Sequence, residues 1–126
     1  MKLIGVDWKP YRQAFPILFG GDFVISLWIG VGWGGLAWTL CDQLEAISGQ
    51  SVAEGRPPIR IRQIKESDGG LRVLLAYSTE AADALVGAAE VASLGVCECC
   101  GEPGEIFSVG GWQKTLCARH AAPETF

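Results

Sequence analysis

The spacing of hydrophobic and polar residues changes along the chain, and the first two changes predict a strand followed by a helix. Residues 23–29 are β-branched and aromatic, which is typical of a strand. Apolar residues then recur at helical spacing from Trp33 until Gly49, which predicts a helix with one apolar face. That face comprises Trp33, Leu36, Ala37, Leu40, Leu44 and Ile47, and the opposite face comprises Trp38, Asp42 and Glu45. We interpret Trp38 as a ring lying over a neighbouring loop, with a partner contact as the alternative.

Two alternating segments, 59–64 and 71–77, flank the turn sequence 67–70 and predict a β-hairpin, because glycine supplies the positive φ of a tight turn. The alternation places five apolar residues on the core face: Ile59, Ile61, Leu71, Val73 and Leu75. The other face carries a basic stripe made of Arg60, Arg62 and Arg72, with Lys65 near the turn. This stripe is either a contact surface for an anionic partner or an ordinary solvated sheet face, and the solvated face is the simpler interpretation.

Residues 79–94 predict an alanine-rich helix that is capped by Ser78 or Thr79 and ended by Gly95. Its small-residue face is expected to pack closely on the sheet and comprises Ala81, Ala82, Leu85, Ala88, Ala89 and Ala92. Its solvated side is expected to carry Glu80, Asp83 and Glu90.

The last third of the chain contains two pairs of metal-ligating residues, each pair separated by two positions. They are Cys97 with Cys100, and Cys117 with His120. Thiolates and imidazole at this spacing are the preferred ligands of tetrahedral Zn²⁺. Because four protein ligands leave no position for water, the pattern predicts a closed, structural zinc site. The alternative is a set of reduced, buried cysteines that bind no metal.

The neighbours of these ligands refine the prediction. Cys99 is expected to point away from the ion, and Trp112 and Leu116 are expected to form a small hydrophobic cap over it. A redox CxxC pair would need to open a helix after a strand, whereas this pair follows a helix, and Gly101 and Pro103 disfavour another helix.

Taken together, the predicted strands, helices and metal ligands give the fold class α+β: a small antiparallel sheet with two packing helices and a C-terminal zinc knuckle.

Composition limits the possible classes of protein. The 126 residues suit one domain, with a body at 1–95, the knuckle at 96–120 and a tail at 121–126. A net charge of −4 argues against a general nucleic-acid binder, and five cysteines cannot all pair within the chain. The uncharged segment 23–41 is interrupted by four glycines, so we do not interpret it as a membrane span. With no signal-peptide pattern at the start, reduced thiols favour a cytoplasmic protein; the role of Cys41 is left open.

The sequence contains no pattern typical of an active site. No phosphate-binding loop is present, and His120, the single histidine, is assigned to the metal. We therefore expect a non-enzymatic module that binds another protein, with self-association as a further option. One alternative is a nucleic-acid binder that uses the basic stripe, and another is a zinc enzyme with an open site formed by Cys97, Cys100 and Cys117.

Short motifs run through the second half of the chain. They are Lys65-Glu66, Gly69-Gly70-Leu71-Arg72, Ala89-Glu90, Ser93, Cys97-Glu98, Cys100-Gly101, Pro103-Gly104, Trp112, Thr115-Leu116-Cys117 and His120. In these motifs the chain resembles a group of small bacterial and phage proteins of unknown function, which have a KEKFGGLRFY-like segment before a C-terminal CxxCG…W..TLCxxH zinc knuckle. It departs from the group at Ser67-Asp68 and Leu74-Leu75. The resemblance implies the same four zinc ligands and a phage or mobile-element association, for example as an inhibitor or regulator of a host defence system.

Overall fold

The computed structural model describes residues 7–21 and 26–122, so the first part of the predicted strand at 23–29 and most of the tail lie outside the described residues. Within them the elements follow in the order α1 (Lys9–Ala14), β1 (Ser26–Trp28), a 3-10 helix (Val31–Trp33), α2 (Gly34–Ala53), β2 (Arg60–Ser67), β3 (Gly70–Tyr77), α3 (Glu80–Ser93), β4 (Glu105–Val109), β5 (Trp112–Leu116) and α4 (Ala118–Ala121). The α+β class is confirmed, and the C-terminal Cys/His cluster follows the body as expected.

The strands form a three-stranded sheet in the order β1-β2-β3 and a separate two-stranded sheet, β4-β5. Strand β2 is antiparallel to β3, as predicted, but β1 is parallel to β2. The parallel pair arises because α2 connects β1 to β2 as a crossover, and parallel neighbours need such a connection. The larger sheet is therefore mixed.

Helices α2 and α3 contact each other, and their buried residues form one core with the inner face of the larger sheet. Helix α2 buries Ala37, Leu40 and Leu44, so the predicted apolar face is confirmed at these positions, and it also buries Cys41, which the prediction did not include. The predicted end at Gly49 is wrong. The helix continues to Ala53, and the left-handed residue that follows it is Gly55, with φ of +74°.

Two residues on the predicted outer side of α2 make contacts within the described chain. The Glu45 carboxylate accepts hydrogen bonds from the backbone N–H groups of Ile17 and Leu18, at 3.0 and 2.8 Å. The Trp38 ring lies edge-on to Tyr11 and Phe15, with ring centroids 4.9 and 4.7 Å apart. Trp38 therefore covers a neighbouring segment, as we interpreted it, while Glu45 is not a simple solvated residue.

The β2–β3 hairpin is confirmed, with Asp68 and Gly69 at positive φ in its two-residue turn. The register shifts around Arg62, which leaves that residue without a partner on β3. This bulge resets the alternation, so Ile64 is fully buried together with Ile59 and Ile61. The expected core positions on β3 are confirmed for Leu71 and Val73, which are 3% and 6% exposed.

Helix α3 begins at Thr79, whose hydroxyl accepts a hydrogen bond from the Ala82 N–H at 3.2 Å. Its packed face was predicted only in part. The buried residues are Ala82, Val86, Ala89 and Ser93, whereas Ala81, Ala88 and Ala92 are exposed. The helix is rotated relative to the prediction because two polar residues, Glu90 and Ser93, point toward β3.

These two residues bind the outer edge of β3. The Ser93 hydroxyl accepts a hydrogen bond from the Leu71 N–H at 2.8 Å, and the Glu90 carboxylate accepts one from the Val73 N–H at 3.1 Å. Edge strands with free N–H groups invite pairing with other chains. The side chains of α3 therefore replace a neighbouring strand here, and the prediction that Glu90 is solvated is wrong.

Ser93→Ala is expected to lower the free energy of unfolding by about 1–3 kcal/mol, because the buried Leu71 N–H loses its acceptor. Urea denaturation measures the loss, and hydrogen exchange at Leu71 localises it. Val91→Ala, on the exposed side of the same helix, is the matched control and changes little. Unchanged exchange at Leu71 in Ser93→Ala would contradict this account of the edge.

Candidate metal centre

The first ligand pair lies in a tight turn just after α3. The Cys97 N–H donates to the Glu102 carbonyl at 2.7 Å, and the Gly101 N–H donates to the Cys97 carbonyl at 2.8 Å. Gly101 has φ of +83°, a conformation that L side chains rarely adopt. The turn closes on itself, so the two sulfurs of Cys97 and Cys100 point to the same side.

The second pair lies where β5 passes into α4. Hairpin β4–β5 returns the chain to the turn, and Cys117 directly precedes the short helix. The Ala121 N–H donates to the Cys117 carbonyl at 2.9 Å, which fixes one helical turn. Cys117 and His120 lie three residues apart on this turn and therefore share a face.

The four ligand atoms of Cys97, Cys100, Cys117 and His120 all lie within 4.8 Å of one another. His120 Nδ1 is 3.2 Å from Cys117 Sγ and 3.5 Å from Cys97 Sγ, and Cys100 Sγ is 3.7 Å from Cys117 Sγ. A tetrahedral zinc with ordinary bond lengths has sulfur–sulfur edges of about 3.8 Å and sulfur–nitrogen edges of about 3.6 Å. The predicted residues therefore come together, and they could hold a metal ion.

Local hydrogen bonds favour thiolates at two of the ligands. Burial raises the pKa of the Cys97 thiol, but hydrogen bonds from the backbone of Cys117, Cys99 and Cys100 bring that pKa below its ordinary value. A hydrogen bond from the His120 backbone lowers the pKa of the Cys117 thiol. The thiolate is the metal-binding form of cysteine, so these contacts prepare the site for a cation.

The other two cysteines are not among the four clustered ligand residues. Burial raises the pKa of Cys99 to about 11, with the nearby Cys97 adding to the shift, and burial raises the pKa of Cys41 to about 12. Cys41 is fully buried in the main core. Both side chains are therefore thiols rather than thiolates near neutral pH, and Cys41 has a packing role.

The buried carboxylate of Glu98 stabilises the turn that carries Cys97 and Cys100. Glu98 is 1% exposed; its N–H donates to the Thr115 carbonyl at 3.0 Å, and its Oε2 accepts from the Thr115 N–H at 3.3 Å. Burial raises the pKa of Glu98, and the Lys114 ammonium, 3.3 Å from Oε1, opposes that rise. Lys114 also lies 3.6 Å from Glu66, and the Thr115 hydroxyl donates to the Gly69 carbonyl at 2.5 Å. These contacts connect the turn that carries Cys97 and Cys100 to β5 and to the β2–β3 turn.

The sequence did not reveal this bracing group. Glu98 and Thr115 lie 17 positions apart, and neither belongs to a periodic pattern that would mark it as buried. A carboxylate between two cysteines would be expected in solvent. Its partners come from β5, and that pairing exists only once the hairpin has folded back.

The segment from Val96 to the end of α4, which carries the four clustered ligands and is called the metal unit below, contacts the rest of the chain through backbone atoms. The Trp33 indole N–H donates to the Val96 carbonyl at 2.8 Å, and the Gly32 N–H donates to the Glu98 carbonyl at 2.9 Å. Cβ atoms built on Gly30 and Gly32 would overlap the carbonyl oxygens of Glu98 and Cys97. Glycine at both positions therefore permits this close approach.

The hydrophobic cap differs in part from the prediction. Leu116 is 2% exposed and packs with the cysteines, as expected. Trp112 is 74% exposed at the tip of the β4–β5 hairpin, and its assignment to the cap is wrong. Phe107, on β4, packs against the cluster instead. The strand alternation of the short hairpin, which the sequence left undefined, decides which aromatic ring turns inward.

The residues predicted as partner contacts are not brought to the Cys/His cluster. Arg62 and Arg72 are exposed on the three-stranded sheet, Lys65 is half-buried beside Arg72, and the Arg60 guanidinium lies against Gly20. Trp38 is 39% exposed on α2. The metal centre and the basic stripe are thus separate features of the molecule.

Comparison of the chain with models of protein families, with curated proteins and with solved structures returned no match. No helix among the described residues combines the length and the apolar character that crossing a bilayer requires.

Proposed function

We propose that the Cys97, Cys100, Cys117 and His120 cluster holds Zn²⁺ as a structural ion and that the chain is a non-enzymatic module that binds another protein. The observation that carries the proposal is the convergence of four protein donors, whose ligand atoms all lie within 4.8 Å of one another. Three thiolates and one imidazole suit zinc among the common divalent ions. When bound, zinc would cross-link the turn of Cys97 and Cys100 to the start of α4. It would not activate a water molecule for catalysis.

The competing zinc enzyme would need an open coordination position. That arrangement requires His120 to lie away from the ion, whereas its Nδ1 lies 3.2 Å from Cys117 Sγ. The geometry therefore favours a structural site over a catalytic one.

The resemblance to small bacterial and phage proteins supports a more specific form of the proposal. In that form the module is encoded by a phage or mobile element and inhibits or regulates a host defence system in the cytoplasm. The described cysteines form no disulfide, which suits a reducing compartment.

Native mass spectrometry of the full chain, expressed in a bacterial host and purified gently, tests both parts. We expect one zinc per chain and a co-purifying protein at fixed stoichiometry. His120→Ala is expected to lose the zinc, while Cys99→Ser, the matched control, keeps it. A metal-free, fully folded chain would contradict the structural role, and the absence of any stoichiometric partner would count against the binding role.

A further inference from the structure

The face of the three-stranded sheet that points away from α2 and α3 combines aromatic, apolar and basic side chains. Strand register places Trp28, Lys65 and Arg72 in one row across the sheet, and Gln63 pairs with Leu74 two rows away on the same face. We call these five residues the outer sheet face. Leu27, Ile64 and Val73 form the intervening row and are buried on the opposite side. The register therefore separates a core face from an outer one.

The outer sheet face is open within the described part of the chain. Trp28 is 67% exposed and Leu74 is 41% exposed, although both are large apolar side chains on regular strands. Arg72 is exposed as well, and Arg62 is exposed at the adjoining bulge. Tryptophan and arginine are the residue types most enriched at the energetic centres of protein interfaces.

Two positive charges on this face, Lys65 and Arg72, are placed where they lower the stability of the folded chain. Lys65 and Arg72 are directly paired across β2 and β3, and like charges in that position destabilise a sheet. Neither forms an ion pair with an acidic group among the described residues. Two adjacent cations that have no acidic partner in the described part of the chain, beside an exposed indole, are complementary to an anionic ligand that also offers apolar contact.

We propose that an acidic segment of a partner protein docks on the outer sheet face, with its carboxylates on Lys65 and Arg72 and apolar side chains on Trp28 and Leu74. The inference rests on the proposed binding role but not on the metal. Protein fits better than nucleic acid because the chain carries a net charge of −4, which opposes the approach of a dense polyanion. The exposed Leu74 also has no counterpart in a phosphate-binding surface.

Fluorescence anisotropy with two probes tests the proposal on the zinc-loaded chain. One probe is a short labelled peptide rich in glutamate and leucine, and the other is labelled oligothymidine of similar charge. We expect the peptide to bind more tightly, with an affinity that falls as salt rises. Arg72→Glu weakens peptide binding at least about tenfold by charge reversal. Arg56→Glu, the same charge change on an exposed loop residue outside this face, is the matched control and leaves binding unchanged.

Lys65→Glu separates a binding role from a structural one. The substitution is expected to weaken peptide binding as Arg72→Glu does, yet it replaces a like-charge pair by an opposite-charge pair with Arg72. The Tm is therefore expected to rise by about 1–4 °C. A residue that served only the fold would not combine lost binding with increased stability.

Four outcomes overturn the inference. Tighter binding of oligothymidine with the same variant pattern assigns the face to single-stranded nucleic acid. Dimers that dissociate in Lys65→Glu assign it to a second copy of the chain. Binding that Arg72→Glu and Lys65→Glu leave unchanged places the partner elsewhere, and no binding of either probe removes the site. Each of these results leaves the zinc role standing, whereas a folded, metal-free chain refutes the zinc role and leaves the sheet face unaffected.

Discussion

Removing the metal, by a chelator or by Cys97→Ser, is expected to unfold the segment from Val96 to the end of α4. Among the described residues of this segment, the buried hydrophobic residues are only Cys97, Leu116 and Cys117. So small a core cannot offset the conformational entropy of the hairpin and turns. Structural zinc sites supply apparent binding free energies on the order of 10 kcal/mol, which become folding free energy when the site forms with the fold.

Circular dichroism and amide NMR with and without chelator measure this effect. The hairpin β4–β5 is expected to lose its protected amides, while the core around α2 and the three-stranded sheet keeps part of its protection at a lower Tm. Cys99→Ser is the matched control, since Cys99 lies outside the cluster, and it should retain both metal and fold. Undiminished protection in β4–β5 after complete metal removal would show that the hairpin does not depend on the ion.

Gly32→Ala is expected to be the most damaging substitution on the surface where the metal unit meets the body. Its Cβ would overlap the Cys97 carbonyl oxygen and lie 2.6 and 2.7 Å from the backbone nitrogens of Gly101 and Cys100. Those atoms are held by the turn's own hydrogen bonds and cannot move aside as a flexible side chain can. We expect a loss of about 3 kcal/mol or more in the free energy of unfolding, at the upper end for overpacking, and weaker metal binding.

Gly35→Ala is the matched control, because a Cβ at Gly35 meets nothing within 4 Å and the residue lies in α2. This substitution is expected to be neutral or to stabilise the chain by up to about 1 kcal/mol. Denaturation of both variants, with zinc affinity measured by competition against a chromophoric chelator, gives the comparison. Equal stability of the two variants would show that the turn of Cys97 to Gly101 does not contact Gly32 closely in solution.

The features that the sequence predicted well are those set by neighbours in the chain. The metal ligands follow from two short spacings, and the β2–β3 turn follows from Asp68 and Gly69, which adopt the positive φ values of a two-residue hairpin. Thr79 could be named as one of two caps for the same reason. Within each ligand pair, in the turn and at the cap, the identifying residues lie within four positions of one another, so the pattern of residue types is sufficient.

The features that the sequence missed depend on distant partners. The sequence places Glu45 on the outer face of α2, predicts a solvated Glu90 and assigns no role to the Glu98 side chain. Each of these carboxylates accepts hydrogen bonds from backbone N–H groups of a distant segment. Periodicity cannot distinguish a polar side chain facing water from one that satisfies a strand edge or a turn. The bulge at Arg62 is similar, since only the partner strand shows that one residue is unpaired.

The contact of Gly32 and Trp33 with the chain around Val96 has a consequence for how the molecule can be divided. A boundary near residue 95, natural on sequence grounds, would cut through hydrogen bonds that the Trp33 indole and the Gly32 amide make with the C-terminal segment. We therefore do not expect the segment after α3 to fold as an independent domain. Grafted onto another scaffold, it would lose its contacts with Gly30, Gly32 and Trp33. The truncated body would in turn expose the Trp33 indole N–H and the Gly32 N–H, which the segment covers.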